Sequence, residues 1–175
     1  MRPGIPLLVC AALLVAAPVS AQNGRVALEG RGGIAVPVGD LRDEMSAGTG
    51  FSVALDLMYR FSPLFTGFLG GNRDEFDGGF SSTGLQGGVR ITPLREASVL
   101  PWLSGAVTGQ ELSANEFDYN LDIGFEGGAG LDVALSERFS LAPGVRYRTY
   151  QADLDGHEIG ANSFTFALGA HWTFR

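Results

Sequence analysis

Residues 163–174 read SFTFALGAHWTF, and this stretch decides the fold class. Its even positions carry phenylalanine, leucine, alanine or tryptophan, whereas its odd positions carry small or polar residues. A period of two is typical of a β-strand with one apolar and one polar face. The stretch is also long enough to cross a bilayer as a tilted strand, which takes roughly 9–11 residues. The sequence therefore predicts a membrane-spanning strand in this segment.

The same alternation recurs through the preceding sequence and predicts a series of hairpins. It is clearest in residues 50–60, where large apolar residues at odd positions alternate with Ser52, Ala54, Asp56 and Arg60. The 26 glycines are scattered among these segments. Turn residues separate the segments, which is typical of an all-β chain. The eight predicted strands are residues 25–36, 50–60, 64–72, 83–92, 101–112, 121–133, 139–150 and 163–174.

The phase of the third and fifth strands stays open at this stage. Phe65 and Phe68 fall on opposite faces of the third strand. In the fifth strand, Trp102 and Leu103 are adjacent, so either one could mark the apolar face. In the seventh strand Pro143 removes a donor from the ladder. We therefore expect a bulge or a bend near Pro143.

The connections between the predicted strands alternate in length. Short turns at one end and longer loops at the other are typical of bacterial outer-membrane barrels, whose short turns face the periplasm. The pattern thus predicts an eight-stranded, antiparallel, up-and-down transmembrane β-barrel. The predicted longer, acidic connections are residues 37–47, 73–80, 113–120 and 151–162; the predicted shorter ones are residues 61–63, 93–99 and 135–138.

The N-terminal residues 1–21 have the pattern of a signal peptide. Arg2 precedes an apolar run over residues 5–17, and small residues close the segment at positions 19 and 21. We expect cleavage before Gln22, which leaves one barrel domain over residues 22–175. The only cysteine, Cys10, lies inside the predicted signal, so the mature chain is expected to form no disulfide.

The charge of the chain restricts its partners. All 12 basic residues are arginine, and the net charge is −7. Proteins that bind nucleic acid present a basic patch or stripe to the phosphates. We therefore expect no nucleic-acid partner.

Two barrels fit the alternation, and they differ in which face points inward. In a lipocalin-like periplasmic barrel the apolar face surrounds an apolar ligand, whereas in a membrane barrel that face meets lipid. The polar face is rich in glycine and carries charges of both signs, which suits a narrow interior. Hairpin pairing places Glu126 opposite Arg146 or Arg148, so we expect ion pairs inside. The predicted set of interior ion-pairing residues is Glu29, Arg31, Asp56, Arg90, Asp122, Glu126, Arg146 and Arg148.

Aromatic residues gather near the ends of the predicted strands. Membrane barrels carry such girdles at both interfaces with water. This distribution favours the membrane arrangement over the lipocalin-like one. The aromatic residues predicted at the short-turn interface are Tyr59, Phe139, Trp172 and Phe174.

Several segments together identify a family. They are VSA at residues 19–21, GLQGGVR at 84–90, FEGGAGLDV at 125–133 and HWTF at 171–174, along with the eight alternating segments. With these, the chain resembles the small outer-membrane β-barrel domain family of the OmpA, OmpX and opacity types. The resemblance covers residues 22–175. It implies a location in the bacterial outer membrane and contacts with lipopolysaccharide. It also implies that the barrel assembly machinery reads the C-terminal strand. The family usually ends on an aromatic residue, whereas here Arg175 follows Phe174.

The sequence contains few candidate catalytic or metal-binding residues, and each is more simply explained as a structural or solvent-exposed polar residue. Some barrels that resemble this one modify lipid A with a histidine, a serine and an acid, for which His157, Ser163 and Glu158 are the candidates here. Asp153, Asp155 and Glu158 are the best candidates for a divalent-cation site, but they do not match a calcium loop. We expect no catalysis, no cofactor, no metal and no large pore. The predicted protein is a monomer with a structural or surface-interaction role.

Overall fold

The computed structural model is an antiparallel β-barrel and describes residues 25–43, 46–93, 99–114, 117–118, 121–154 and 157–174. Each strand pairs with its sequence neighbours, and the first also pairs with the last, so the sheet closes. The fold class predicted from the alternation is therefore confirmed. The eight barrel strands are β1 (Arg25–Val38), β2 (Gly50–Arg60), β3 (Phe65–Phe76), β4 (Phe80–Ile91), β5 (Val99–Ala114), β6 (Asp122–Ala134), β7 (Phe139–Leu154) and β8 (His157–Thr173).

Two short elements lie at one end of the barrel. Helix α1 (Asp40–Asp43) is in the first connection, and the two-residue strand Phe117–Asp118 pairs with the end of β5. We call this end the rim, and the end that holds residues 25 and 174 the base. Within the described ranges, no helix is long and apolar enough to cross a membrane.

The two faces of the barrel wall differ sharply in polarity. Leu55 is 56% exposed, whereas the next residue, Asp56, is 1% exposed. Alternate residues of a strand point to opposite faces, so the exposed apolar set faces outward and the buried charged set faces inward. Charged residues on the outward face of β3 and β5, namely Arg73, Glu75 and Glu111, lie near the rim. A lipocalin-like arrangement, with the apolar face inside, is therefore wrong for this chain.

The structure settles the phase of the third and fifth strands. Phe68 is 7% exposed and points inward, while Leu69 is 54% exposed. Likewise Trp102 is 2% exposed and Leu103 is 59% exposed. Phe68 and Trp102 therefore lie in the lumen, the space enclosed by the barrel.

The bulge expected near Pro143 is absent. Gly130 lies opposite Gly144, and Val133 lies opposite Leu141, so the register of β6 and β7 is the same on both sides of the proline. Pro143 itself aligns with Leu168 of β8. Pairing with β6 is interrupted at Ala142 and Pro143 and resumes at Leu141 in the same register, so the missing donor breaks the ladder locally without an inserted residue.

Two of the predicted long loops are mostly strand. Residues 73–80 were predicted as a loop, but β3 continues to Phe76 and a turn at residues 77–79 leads into β4. Gly78 and Gly79 have φ values of 98° and 83°, in the left-handed region that glycine adopts without strain. Similarly β7 runs to Leu154 and β8 begins at His157, within the predicted loop 151–162. The strands thus continue beyond the apolar part of each hairpin.

The first connection does not continue as strand and instead packs over the rim. Leu41 of α1 is buried in an apolar cluster with Ala35, Ala47 and Phe76. The carboxylate of Asp40 accepts a hydrogen bond from the backbone of Gly160 at 3.1 Å. These contacts hold α1 against β8 and close part of the rim.

Candidate functional site: a filled, charge-paired lumen

Buried charges of both signs line the middle of the lumen. Four arginines and four carboxylates there are each at most 8% exposed. Burial of an unpaired charge costs several kcal/mol, so equal numbers of the two signs make the interior tolerable. We call these eight residues the lumen network: Glu29, Arg31, Asp56, Asp74, Arg90, Glu126, Arg146 and Arg148.

Glu29 lies at the centre of the lumen network. Its carboxylate is 2.7 Å from Nη2 of Arg90, 3.4 Å from Nη2 of Arg146 and 3.6 Å from Nη1 of Arg31. These arginines lie on β4, β7 and β1. One carboxylate therefore joins strands from different sides of the barrel.

Glu126 and Asp74 form a second set of ion pairs with β7. Glu126 is 2.7 Å from Nη2 of Arg148, which lies opposite it in the ladder, and 3.1 Å from Nη1 of Arg146. Arg148 also donates to Asp74 of β3. The carboxylate of Asp74 therefore belongs to the interior, although its segment was predicted as an outer loop.

Neutral polar side chains continue the network. Asp56 accepts hydrogen bonds from Arg31 and, at 2.6 Å, from the amide of Gln86. Nearer the rim, Gln110 accepts from Ser82 at 3.0 Å, and Ser82 accepts from the hydroxyl of Tyr150 at 3.1 Å. A buried polar group needs such a partner, because an unpaired one costs roughly 1–3 kcal/mol.

Trp102 fills the lumen beside the arginines. The guanidinium carbons of Arg90 and Arg146 lie 4.6 Å and 5.1 Å from the centre of its ring. This is the geometry of cation–π contacts. Gly130 and Gly144 face the indole so closely that a Cβ at either position would collide with it. The two glycines thus make room for the largest side chain inside the barrel.

Apolar side chains fill the base end of the lumen. Ala27, Met58, Phe68 and Ala106 form a buried apolar cluster. At this end the interior is therefore filled by apolar side chains in addition to the charged ones.

A histidine, an aspartate and a serine also meet near the base, in strands β6 to β8. Nδ1 of His171 is 3.8 Å from the carboxylate of Asp132, and the hydroxyl of Ser140 donates to the same carboxylate oxygen at 3.0 Å. In a nucleophile–base pair the hydroxyl would instead donate to the histidine. The arrangement holds three polar groups together, with the serine hydroxyl bound to the carboxylate rather than to the histidine.

The structure places the other predicted residues as follows. Asp122 is half-buried at the rim end of β6, opposite Gln110 in the ladder. Seven of the eight residues predicted for the interior ion pairs thus meet in the lumen network, with Asp74 in addition. Trp102 and the amides were not predicted for it. A period of two counted back from Phe76 places Asp74 on the inward face.

The four aromatic residues predicted at the short-turn interface are at the base. Tyr59, Trp172 and Phe174 are exposed on the outer surface. The rings of Phe139 and Trp172 lie 6.3 Å apart. Phe139 and Trp172 thus form an aromatic pair across neighbouring strands at the base.

The candidate enzyme and metal residues near the rim are only partly described. Ser163 is buried and points inward. Asp155, and the side chains of Asp153, His157 and Glu158, lie outside what the structure describes. Among the described residues, no group of three histidine, cysteine, aspartate or glutamate side chains is arranged to hold a metal ion.

The architecture is shared with solved bacterial outer-membrane barrels and with a de novo designed transmembrane β-barrel. Neisserial surface protein A superposes with a TM-score of 0.76 at 15% identity, over 87% of this chain and 100% of its own. The fold is that of the small eight-stranded outer-membrane β-barrels. The N-terminal β-barrel domain of Pseudomonas aeruginosa OprF matches this barrel with a TM-score of 0.57 at 12% identity, over 87% of this chain and 100% of its own. The outer membrane protein AlkL matches with a TM-score of 0.54 at 14% identity, over 100% of this chain and 97% of its own. No protein-family model and no curated protein sequence matches the barrel.

Proposed function

We propose that this chain is a monomeric barrel of the bacterial outer membrane with a structural or surface-interaction role, no large pore and no catalysis. One observation carries the proposal: apolar side chains cover the outside while a charge-paired network fills the inside. An apolar exterior of this extent is far beyond the few hundred Å² that a soluble monomer exposes. It is what an acyl-chain environment favours.

The partners proposed follow from this placement. The outward face meets lipid, and the rim, which carries Asp40, Asp43 and Asp77, meets the headgroups of lipopolysaccharide. The barrel assembly machinery is proposed to recognise β8, which carries the aromatic C-terminal segment. The outer-membrane barrels that share the fold support this location.

The filled lumen predicts that the protein conducts ions poorly. An eight-stranded barrel is only wide enough for its own side chains. Here Trp102, the lumen network and the apolar cluster at the base occupy that space. We expect no porin-sized conductance steps from the purified protein in planar bilayers. Steps comparable with those of a 16-stranded porin measured alongside would contradict the proposal.

The orientation in the membrane predicts a depth-dependent response to charge. An arginine that faces lipid at mid-depth costs about 2–4 kcal/mol, whereas near the interface the cost falls to about 0–1 kcal/mol. We therefore expect Leu55→Arg to lower the free energy of unfolding in phospholipid vesicles by about 2–4 kcal/mol. Leu55 is an exposed residue in the middle of β2.

Thr83→Arg is the matched control for this substitution. Thr83 is also exposed and outward-facing, but it lies near the rim beside Arg73 and Glu111. We expect its effect to stay within about 1 kcal/mol. Equal effects of the two substitutions in a urea titration would show that no depth gradient surrounds the barrel. A mature protein that stayed dissolved and monomeric without detergent would contradict the membrane placement directly.

A further inference from the structure

A groove interrupts the outward face of the barrel where β4, β5 and β6 run side by side. It has a volume of about 530 Å³. Ligand pockets in proteins usually measure about 300–1,000 Å³. The groove is therefore large enough to hold a ligand, although it is open along its length.

Three glycines form its floor. Gly87, Gly105 and Gly127 all occupy outward-facing positions, and Gly105 lies opposite Gly127 in the ladder. A Cβ at Gly105 or Gly127 would meet no heavy atom within 4 Å. The absence of side chains at these positions, rather than a distortion of the wall, creates the depression.

The walls and surroundings of the groove are apolar. Val89, Val107, Phe125 and Tyr147 stand beside the glycines and are exposed. The acidic residue in this part of β6, Glu126, points into the lumen, where it is bound by arginines. The groove therefore offers no charge to a ligand and selects for hydrocarbon.

The groove is continuous with the apolar exterior on both sides. Leu85 and Ile123 are exposed on its rim side, and Leu103 and Leu131 are exposed on its base side. Any molecule that lies in the groove therefore lies among the same hydrocarbon that surrounds the rest of the barrel.

We propose that this groove is a binding site for one acyl chain of a membrane lipid. The inference rests on the membrane placement proposed above. Inside a bilayer the gain comes from packing, since the lipid is as apolar as the protein. A chain in the groove contacts the floor and both walls at once, whereas a chain beside a smooth part of the wall contacts one side. The groove lipid is therefore enriched over its neighbours.

A second copy of the barrel fits the groove less well. Two convex cylinders touch along a narrow strip, and the exposed Phe125 and Tyr147 stand between an approaching wall and the glycine floor. A stable protein interface buries about 1,200–2,000 Å² in total. A flexible chain, in contrast, enters a depression without a matching protein surface.

The test uses the full protein in phosphatidylcholine vesicles that contain a phosphatidylcholine with a photoreactive diazirine in its tail. After illumination, mass spectrometry maps the adducts. Outward positions of β8 that include Leu168 and Ala170 serve as the reference for ordinary lipid contact. We expect about fivefold more adducts per residue around Gly105 and Gly127 than at the reference, because each added carbon contact contributes little and the groove supplies several.

Two leucine substitutions separate the groove from a general effect of glycine. Gly127→Leu fills the floor and is expected to lower labelling there to the reference level. Gly32→Leu, at an exposed outward glycine of β1, is expected to leave it unchanged. If Gly127→Leu fails to fold, the wild-type adduct map alone still decides the question.

Three results would overturn the proposal, and they differ in whether they also contradict the membrane placement. Equal labelling of the groove and of β8 would contradict the acyl-chain site alone. Absence of labelling in both regions would contradict the membrane placement as well. A groove shielded from the diazirine, together with dimers after chemical cross-linking, would identify a second copy as the occupant instead.

Discussion

Replacement of Glu29 by alanine is expected to lower the free energy of unfolding by about 3–5 kcal/mol. The carboxylate of Glu29 is 1% exposed and lies within 3.6 Å of Arg31, Arg90 and Arg146. Its removal leaves one excess positive charge inside the lumen, where water cannot solvate it freely. The effect is measured by urea unfolding in phospholipid vesicles, followed by tryptophan fluorescence.

Glu75→Ala is the matched control for Glu29→Ala. Glu75 also pairs with an arginine, Arg73, at 2.9 Å, but both side chains are exposed near the rim. Exposed ion pairs contribute about 0–1 kcal/mol, so we expect a correspondingly small change. The double variant Glu29→Gln/Arg90→Gln removes both charges and should recover part of the stability. An effect of Glu29→Ala no larger than that of Glu75→Ala would show that the lumen network is not desolvated.

Trp102→Ala is expected to destabilise the barrel by a similar amount, about 3–5 kcal/mol. The indole is buried between Arg90 and Arg146, and its loss leaves a cavity together with two arginines that have lost an aromatic contact. Because the fluorescence signal itself changes, unfolding is followed by circular dichroism or by heat-modifiable migration in gels. Trp172→Ala, at an exposed position on the base, is expected to have a clearly smaller effect.

The glycines that face Trp102 provide an internal check on this explanation. A Cβ at Gly144 would lie 2.5 Å from the indole, so Gly144→Ala overpacks the wild-type lumen. Such overpacking typically costs about 1–3 kcal/mol. In the Trp102→Ala background the contact with the indole is gone and only the 2.9 Å approach to the backbone oxygen of Ala129 remains, so the cost should fall but not vanish. Additive effects of the two substitutions would mean that the indole and the glycine are not in contact.

The architecture was predictable because its signal is local. Alternation in β2 and β8 depends only on which residues face outward, and it holds within each segment. The same period assigned Glu29, Arg31, Asp56, Arg90, Glu126, Arg146 and Arg148 to the interior. The partner of Glu126 followed from the short connection between β6 and β7, since hairpin length fixes register.

The features that the sequence did not predict depend on interactions between strands that are distant in sequence. Asp74 was assigned to a loop because acidic and glycine residues follow Arg73. Its ion-pair partner, Arg148, is distant in sequence, so no local pattern predicts their contact across the lumen. The phase of β5 was open because Trp102 and Leu103 are both apolar. Only the facing glycines of β6 and β7 reveal that the interior has space for an indole, and this is a property of the closed barrel.

The glycines on the outward face were missed for a related reason. In sequence, Gly87 and Gly88 look alike, yet Gly87 lies in the outward-facing groove and Gly88 faces the lumen. The register of three strands is needed to show that Gly105 lies opposite Gly127 and that Gly87 is one outward position away, opposite Val107.

The pairing of β1 with β8 has a consequence for how the molecule assembles. Every other ladder joins strands that follow one another along the chain, but this seam joins Ala27 to Thr173. Bringing such distant segments together is slow, because the entropy of a very large loop is lost before any contact forms. The hydrogen bond from Arg146 to Glu29 spans 117 residues across the same seam. The pairs of Glu29 with Arg90 and Arg146 are thus formed late. A chain arrested before the seam closes lacks them, although the pairs of Glu126 with Arg146 and Arg148, on neighbouring strands, are already in place.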